Sequence, residues 1–226
     1  MERADFLSDR STAGYACDED ALTGACGISR DELIRSVEAF EFDARIRGDR
    51  DLNHDMHPTS PLRQAAVLVP FVDHSDGLTL LFTQRTATLA SHAGQISFPG
   101  GGREPGDADG VQTALRETHE EIGLPPELVT VIGRLDTYVT RTGFRVEPYV
   151  GIIDPPLNCV ADPNEVDDIF EVPLSFILDD ANPVVHTIHI AGRDRRYYAF
   201  PYQSRYIWGA TAGMLVNLRE ILLSRC

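Results

Sequence analysis

Residues 94–124, GQISFPGGGREPGDADGVQTALRETHEEIGL, bring three carboxylates, Glu117, Glu120 and Glu121, within about one turn of an expected helix, directly after a glycine-rich loop. At about 100° per residue the three share a face, while Val111, Leu115, Thr118 and Ile122 gather on a roughly opposite stripe. The apolar stripe is expected to seat the helix and the acidic face to stay free for binding. Like charges at i,i+3 and i,i+4 each destabilise an isolated helix by roughly 0.2–0.5 kcal/mol, and the local cations are few, Arg116 and Arg103. A divalent cation reverses that sign. Hard ions such as Mg²⁺ prefer carboxylate, carbonyl and water oxygens and are often completed by substrate phosphates. Gly100, Gly101 and Gly102, after Pro99, let the backbone approach a ligand closely and offer carbonyls to a metal and amides to a phosphate. The chemistry implied is metal-assisted attack of water on a phosphoanhydride. The competing reading is a solvated acidic helix face behind a tight turn; the joint occurrence of loop, helix and triple carboxylate favours the first.

Several elements are expected around this stretch. Ala65–Val72 and Leu78–Gln84, separated by Asp73-His74-Ser75-Asp76-Gly77, read as a strand pair with a turn. The acidic helix should end at Gly123 as its C-terminal cap, before Pro125-Pro126. Further strands are expected at 129–137, 145–153, 185–190 and 195–200, the last two joined at Gly192, with a closing helix at about 209–223. Upstream, residues 1–27 are rich in Asp, Ser, Gly and Ala and are expected to be poorly ordered or loosely docked. Ser29 is a plausible N-cap with Glu32 at the capping-box position, and Leu33, Val37 and Phe40 mark a helix to about Ala44. A polar linker, RGDRDLNHDMHPTSP, runs to Pro61. The chain therefore divides into an N-terminal extension, 1–60, partly disordered with one helix, and a domain at 61–226.

Composition narrows the function. A chain of 226 residues with 42% hydrophobic content can bury one sizeable core, which suits one domain with an extension better than two domains. Net charge is −15, and all 20 basic residues are arginine. Without lysine there is no Walker-type phosphate loop, Schiff-base chemistry or pyridoxal anchor. No basic stripe runs along the chain, so no nucleic-acid partner is expected. Cys17, Cys26, Cys159 and Cys226 lack a Cys-x-x-Cys spacing and read as free thiols in a reducing compartment. No apolar run approaches the roughly 18–20 residues that span a bilayer, and MERADFLSDR lacks the regions of a signal peptide. A cytoplasmic protein without a membrane partner is expected; no feature specifies the oligomeric state.

Arg116-Glu117-Thr118-His119-Glu120-Glu121-Ile122-Gly123-Leu124 resembles the second half of the Nudix hydrolase signature, Arg-Glu-apolar-x-Glu-Glu-x-Gly-apolar, with Thr118 where an aliphatic residue is usual. In the first half a strict count back from Arg116 puts Ala108 in the glutamate slot and Gly102 in the glycine slot. One extra residue puts Asp107 and Gly101 there instead. The second register is preferred, with Asp107 as a shortened acid and Glu104 as the other candidate. The flanks are similar to the coenzyme A diphosphatase branch. They comprise Leu80-Phe82-Thr83-Arg85, Leu89 and Ser91-His92-Ala93-Gly94-Gln95-Ile96-Ser97-Phe98-Pro99-Gly100-Gly101; then Asn164-Glu165-Val166, Phe170-Glu171-Val172-Pro173-Leu174, and Ile207-Trp208-Gly209-Ala210-Thr211-Ala212-Gly213. The similarity covers roughly residues 61–223. It implies an α/β (α+β) fold, an α/β/α sandwich with a mixed sheet, here preceded by the helical or irregular extension.

Residue by residue, the resemblance implies Glu117 and Glu121 as primary ligands of Mg²⁺ or Mn²⁺. Glu120 shares the site, Gly101 contributes from the loop, and Arg116 fixes a carboxylate by a charge-assisted bond. The general base comes from the box helix, as Glu120, or from a distant loop, where Glu165 follows Asp162-Pro163-Asn164; the bland alternative for Glu165 is a helix-start glutamate. The implied substrate is a small molecule, coenzyme A or a derivative, cleaved to 4′-phosphopantetheine and adenosine 3′,5′-bisphosphate. Its ribose 3′-phosphate calls for an arginine, Arg85 first, with Arg63, Arg141 and Arg145 behind it. His92 and Gln95 either contact the nucleotide or shape the loop, and Tyr206, Trp208 and Phe200 either stack on adenine or belong to the core. Two other functions use the same residues: hydrolysis of another nucleoside diphosphate derivative, such as ADP-ribose or a dinucleoside polyphosphate, and non-catalytic nucleotide sensing.

Overall fold

The computed structural model describes residues 27–41, 46–56, 61–87, 93–190 and 192–224. The chain starts with α1, Arg30–Glu38, opened by the expected capping box between Ser29 and Glu32. It stops at Glu38 rather than near Ala44: the Ala39 amide still donates to the Arg35 carbonyl, but the Phe40 amide donates to the Val37 carbonyl, three residues back, which tightens and closes the last turn; Phe40 reaches the core from outside the helix. A two-residue strand β1, Arg47–Gly48, leads into a 3-10 turn at Asp49–Asp51. Then come β2, Arg63–His74, and β3, Gly77–Arg85, followed by the short strands β4, Ile96–Ser97, and β5, Gly100–Gly102. The acidic helix is α2, Gly110–Ile122. Strands β6, Val129–Arg134, β7, Tyr138–Val139, β8, Phe144–Ile153, and β9, Val166–Pro173, precede the one-turn α3, Leu174–Leu178. Strands β10, Val184–Ile190, β11, Arg193–Tyr202, and β12, Arg205–Trp208, and the closing helix α4, Ala210–Leu223, complete it.

Strand β6 ends three residues before the expected position. The pairing with β8 slips between Val131 and Gly133, where Gly133 takes φ +155° against Val37, and it resumes only for Gly133 and Arg134 before the strand ends.

Among the described residues the main sheet runs β1-β7-β8-β2-β3-β4, with β5 on β2, β6 on β8 and β9 on β3. The β2 and β8 strands are parallel over ten residue pairs from Arg63↔Phe144 to Val72↔Ile153, while β2–β3, β3–β9 and β6–β8 are antiparallel, so the sheet is mixed. Strand periodicity assigns its two faces. On β2, Ala65, Val69 and Phe71 join the core shared with Leu33 and Val37 of α1 and Leu215 and Leu218 of α4. Ala66, Leu68 and Val72 point the other way, to Ala114, Ile122 and Leu124 on and beside α2. One helix thus covers one face and two cover the other, an α/β/α sandwich. A separate three-stranded antiparallel sheet, β10-β11-β12, turns at Gly192 as expected and packs on α4. No helix among the described residues is long and apolar enough to cross a membrane.

Candidate active site

Helix α2 is capped by Asp109, whose carboxylate accepts the Gln112 amide at 2.9 Å, and it ends at Gly123 in the left-handed region, φ 66°. Its buried stripe is Gly110, Thr113, Ala114, Thr118, Glu121 and Ile122. The Thr118 hydroxyl donates to the Ala114 carbonyl at 2.6 Å, which satisfies it inside the core. This corrects the expectation that all three carboxylates share a free face. Glu121 is 4% exposed, and Val111 and Leu115 are only half-buried.

The cause is the glycine turn. Beside α2, strand β5 carries no side chains, so the helix can set its carboxylates against bare backbone. A Cβ on Gly101 would lie 2.5 Å from Glu117 Cδ and closer still to its Oε2, and the Gly100 amide donates to Glu121 Oε2 at 3.2 Å. Gly100 itself has φ +148°, with Val67 Cα 2.5 Å from where a Cβ would stand, so only glycine fits.

A latch holds loop and helix in this register. Asp107 is buried. Its oxygens accept from Arg116 Nε at 3.0 Å and Nη2 at 3.1 Å, from the Thr113 hydroxyl at 2.9 Å and from the Glu104 amide at 2.9 Å. The same guanidinium reaches Glu117 at 3.0 Å, Glu120 at 2.9 Å and the Gly102 carbonyl at 3.1 Å. Arg116, then the backbone and Thr113, hold the Asp107 carboxyl well below the usual carboxylate range. The geometry makes Asp107 the anchor of Arg116, while Glu104 points its amide, not a carboxylate bond, at it.

Glu121 lies in the opposite regime. Burial pushes its carboxyl up to about 7; the Gly100 amide and Arg85 counter part of that, and the charges of Glu117 and Glu165 add to it. Glu117 is also raised, by burial first and then by Glu120 and Glu165, against the opposing pull of Arg116. The field of Glu165 on both carboxyls brings it to the same site. It is exposed, and its position is fixed by backbone bonds: its amide donates to Asp162 O at 3.0 Å and its carbonyl accepts the Thr86 amide at 3.0 Å. Asp162 in turn donates its amide to the Glu121 carbonyl at 2.9 Å. Glu165 leads into a strand, which removes the helix-start reading.

Glu117 and Glu121, whose carboxyls burial pushes up, face a glycine backbone and fit a hard cation. No three acidic or histidine side chains among the described residues converge into a closed cage. Glu117 and Glu121 would hold such an ion, with Gly101 beside them; Glu120 is mostly exposed, at 57%, and leans on Arg116.

The substrate-binding candidates separate. Arg85 lies on the α2 face of β3, in phase with Leu81, and its guanidinium meets Glu121 Oε1 at 3.5 Å. Arg63 stacks on the Phe144 ring, 3.9 Å from its centroid, at the far end of β2. Gln95 bonds the Arg85 amide through its carbonyl, at 3.0 Å, and lines a cavity of about 710 Å³ between β1, β7, the small sheet and α4. His92 lies outside the described residues. Phe200 is fully buried, whereas Trp208 lines the cavity and Tyr206 is 38% exposed. The cavity does not include the carboxylates of α2; Gln95 and Arg85 connect the two. Asp49, Asn53, Arg195 and Arg196 also line it and were not singled out by sequence, because segment 47–56 reads only as a polar linker and its partners are some 90 to 140 residues away.

Residues 62–184 match the NUDIX domain family model. Over 156 residues, 69% of this chain and 81% of the relative, the sequence is 46% identical to NudL of Klebsiella pneumoniae, an uncharacterized Nudix hydrolase. Over 194 residues, 84% of this chain and 97% of the relative, it is 36% identical to NudL of Yersinia pestis. Among solved structures, that of RenU, a Nudix hydrolase from M. smegmatis, aligns with a TM-score of 0.47 at 19% identity, over 72% of this chain and 86% of that one.

Proposed function

The chain belongs to the Nudix hydrolases, enzymes that act on phosphoanhydride bonds, and on that premise we propose that its substrate is coenzyme A or a coenzyme A derivative, cleaved to 4′-phosphopantetheine and adenosine 3′,5′-bisphosphate. The observation that carries this reading is the stretch 80–101, which resembles the coenzyme A branch and spans two places at once: Arg85 meets Glu121, and Gln95 lines the large cavity. One strand-loop unit therefore links the hydrolytic carboxylates to a space sized for the rest of a substrate.

Nudix hydrolases generally use divalent ions such as Mg²⁺ or Mn²⁺, and here Glu117 and Glu121 would be the ligands, with the Gly101 backbone beside them. When bound, the ion supplies a Lewis acid to the phosphoryl oxygens and acidifies water. The protein's own groups do the rest. Glu165, solvent-facing and within the field of both ligands, accepts the proton of the attacking water as the new P–O bond forms. The bond to the bridging oxygen breaks and its electrons leave with the second phosphate. Arg116 holds Glu117 and Glu120 in place.

The test is incubation of the purified protein with coenzyme A, ADP-ribose and a dinucleoside polyphosphate, with and without Mg²⁺ or Mn²⁺, and chromatography of the products. Metal-dependent release of adenosine 3′,5′-bisphosphate from coenzyme A, faster than cleavage of the others, is expected. Faster cleavage of either competitor would replace coenzyme A as the substrate.

A further inference from the structure

Five of the chain's 20 arginines, Arg47, Arg141, Arg193, Arg195 and Arg196, line the 710 Å³ cavity of a protein whose net charge is −15. Its carboxylates are already engaged. Asp55 takes Arg193 at 2.8 Å and Arg195 at 2.6 Å, and Glu220 takes Arg47. Asp51 accepts the Gly48 amide at 3.2 Å, and Asp49 accepts the Tyr138 hydroxyl at 2.8 Å and the Arg141 amide at 2.7 Å. Among the described residues no carboxylate pairs with the guanidinium of Arg141 or Arg196.

The backbones of those two arginines are nonetheless pinned, both by the same short segment. Asp49 holds the Arg141 amide. Asn53, itself buried, accepts the Arg196 amide at 2.8 Å and donates to the Arg196 carbonyl at 2.8 Å. Two exposed guanidiniums with no carboxylate partner among the described residues, on fixed backbones, suit an oxyanion. The cavity lining also holds Tyr197 and Trp208, which meet edge to face with centroids 5.6 Å apart; Tyr197 is stacked as well on His186 at 5.9 Å, and the remaining ring surface suits a flat base. A base and an anion together describe a nucleotide.

We propose that this cavity receives the nucleoside end of the substrate, with the base against Tyr197 and Trp208 and a phosphate outside the cleaved pyrophosphate on Arg141 and Arg196. The identity of that phosphate as the ribose 3′-phosphate rests on the coenzyme A reading; the cavity's preference for a doubly phosphorylated nucleoside does not. Gln95 connects it to the reaction, because it lines the cavity while its carbonyl holds the Arg85 amide, and the Arg85 side chain ends on Glu121. Segment 47–56 is thereby a specificity wall.

Calorimetric titration in chelator with adenosine 3′,5′-bisphosphate and with adenosine 5′-monophosphate tests it on the wild type, Arg141→Gln and Arg196→Gln. Removing a charged partner of a phosphate is expected to cost about tenfold in affinity. The wild type should bind the bisphosphate at least about tenfold tighter than the monophosphate, and each variant should shrink that ratio towards one, with melting temperatures held. Equal affinity for both nucleotides in the wild type, or an undiminished ratio in both variants, overturns the inference. If the ratio collapses as expected while coenzyme A is not cleaved, the cavity assignment stands and the substrate reading falls; if coenzyme A is cleaved and the ratio is insensitive to both arginines, the reverse holds.

Discussion

Glu121→Gln is expected to stabilise the metal-free protein at pH 8 while abolishing turnover. Burial pushes the Glu121 carboxyl from an ordinary 4.5 up to about 7, a difference worth about 3 kcal/mol at 1.36 kcal/mol per unit. The folded protein holds this proton more tightly than the unfolded chain does. The carboxyl therefore contributes stability in full below about 4.5, and that contribution disappears as pH rises through about 7. Glutamine keeps the shape and an oxygen for the Gly100 amide, but it leaves Arg85 without its 3.5 Å partner. The net gain at pH 8 should be about 1–3 kcal/mol, or roughly 2–10 °C in melting temperature for a domain of this size. Thermal unfolding of both proteins in chelator, at pH 5 and pH 8, measures the effect of Glu121 together with its coupling to Glu117 and Glu165, while groups away from this cluster cancel in the difference. Added Mg²⁺ or Mn²⁺ should then stabilise the wild type and not the variant. If the two proteins lose stability equally between pH 5 and pH 8, Glu121 is not the discharged carboxyl described above.

Gly101→Ala pushes a methyl into the Glu117 carboxylate, which can swing away, so the fold should survive while kcat/KM falls on the order of 100-fold; steady-state kinetics with an unchanged kcat would remove Glu117 from the site. Arg116→Lys keeps the charge but loses the fork that grips Asp107 through two nitrogens. Amide exchange at Glu104 and Asp107 should quicken and turnover drop by about tenfold or more, and unchanged protection there would mean the latch is held by Thr113 alone. Asn53→Ala strips the bonds to Asp49 O and to both backbone groups of Arg196. Urea unfolding should show a loss of about 1–3 kcal/mol; no loss would mean that segment 47–56 is not anchored to β11.

Local grammar accounts for what was legible. The Ser29–Glu32 capping box, the hairpin at 73–77, the Gly123 cap and the Gly192 turn each need only neighbouring residues, and each stands where the spacing put it. The family resemblance, likewise carried by a continuous stretch, led to the right superfamily and sandwich. What failed needed distant partners. A helical wheel cannot tell that a glycine strand will sit beside α2, so it put Glu121 on a free face when the packing buries it. The pairing of Arg47–Gly48 with Tyr138–Val139 joins segments about 90 residues apart, and nothing in RGDRDLN announces it. Asn53 gives no signal at all, since its partners are the backbone atoms of Arg196 and carry no side-chain code.

The charges around α2 bear on what a bound cation would do. Asp107, Glu117, Glu120, Glu121 and Glu165 are five carboxyls against three guanidiniums, Arg85, Arg103 and Arg116, so acid exceeds base on this face before any substrate arrives, even with Glu121 pushed up to about 7 by burial. Arg116 already serves three carboxylates and a carbonyl, which an ammonium with three donors could not do in a plane; this is one place where an all-arginine chain has a physical use. A pyrophosphate brought to this face meets like charge at short range in a partly desolvated setting, where screening is weak. A divalent ion held by Glu117 and Glu121 would therefore be expected to aid binding of the substrate as well as breaking of the bond. Its removal should raise the apparent dissociation constant of a non-hydrolysable pyrophosphate analogue as well as stop turnover.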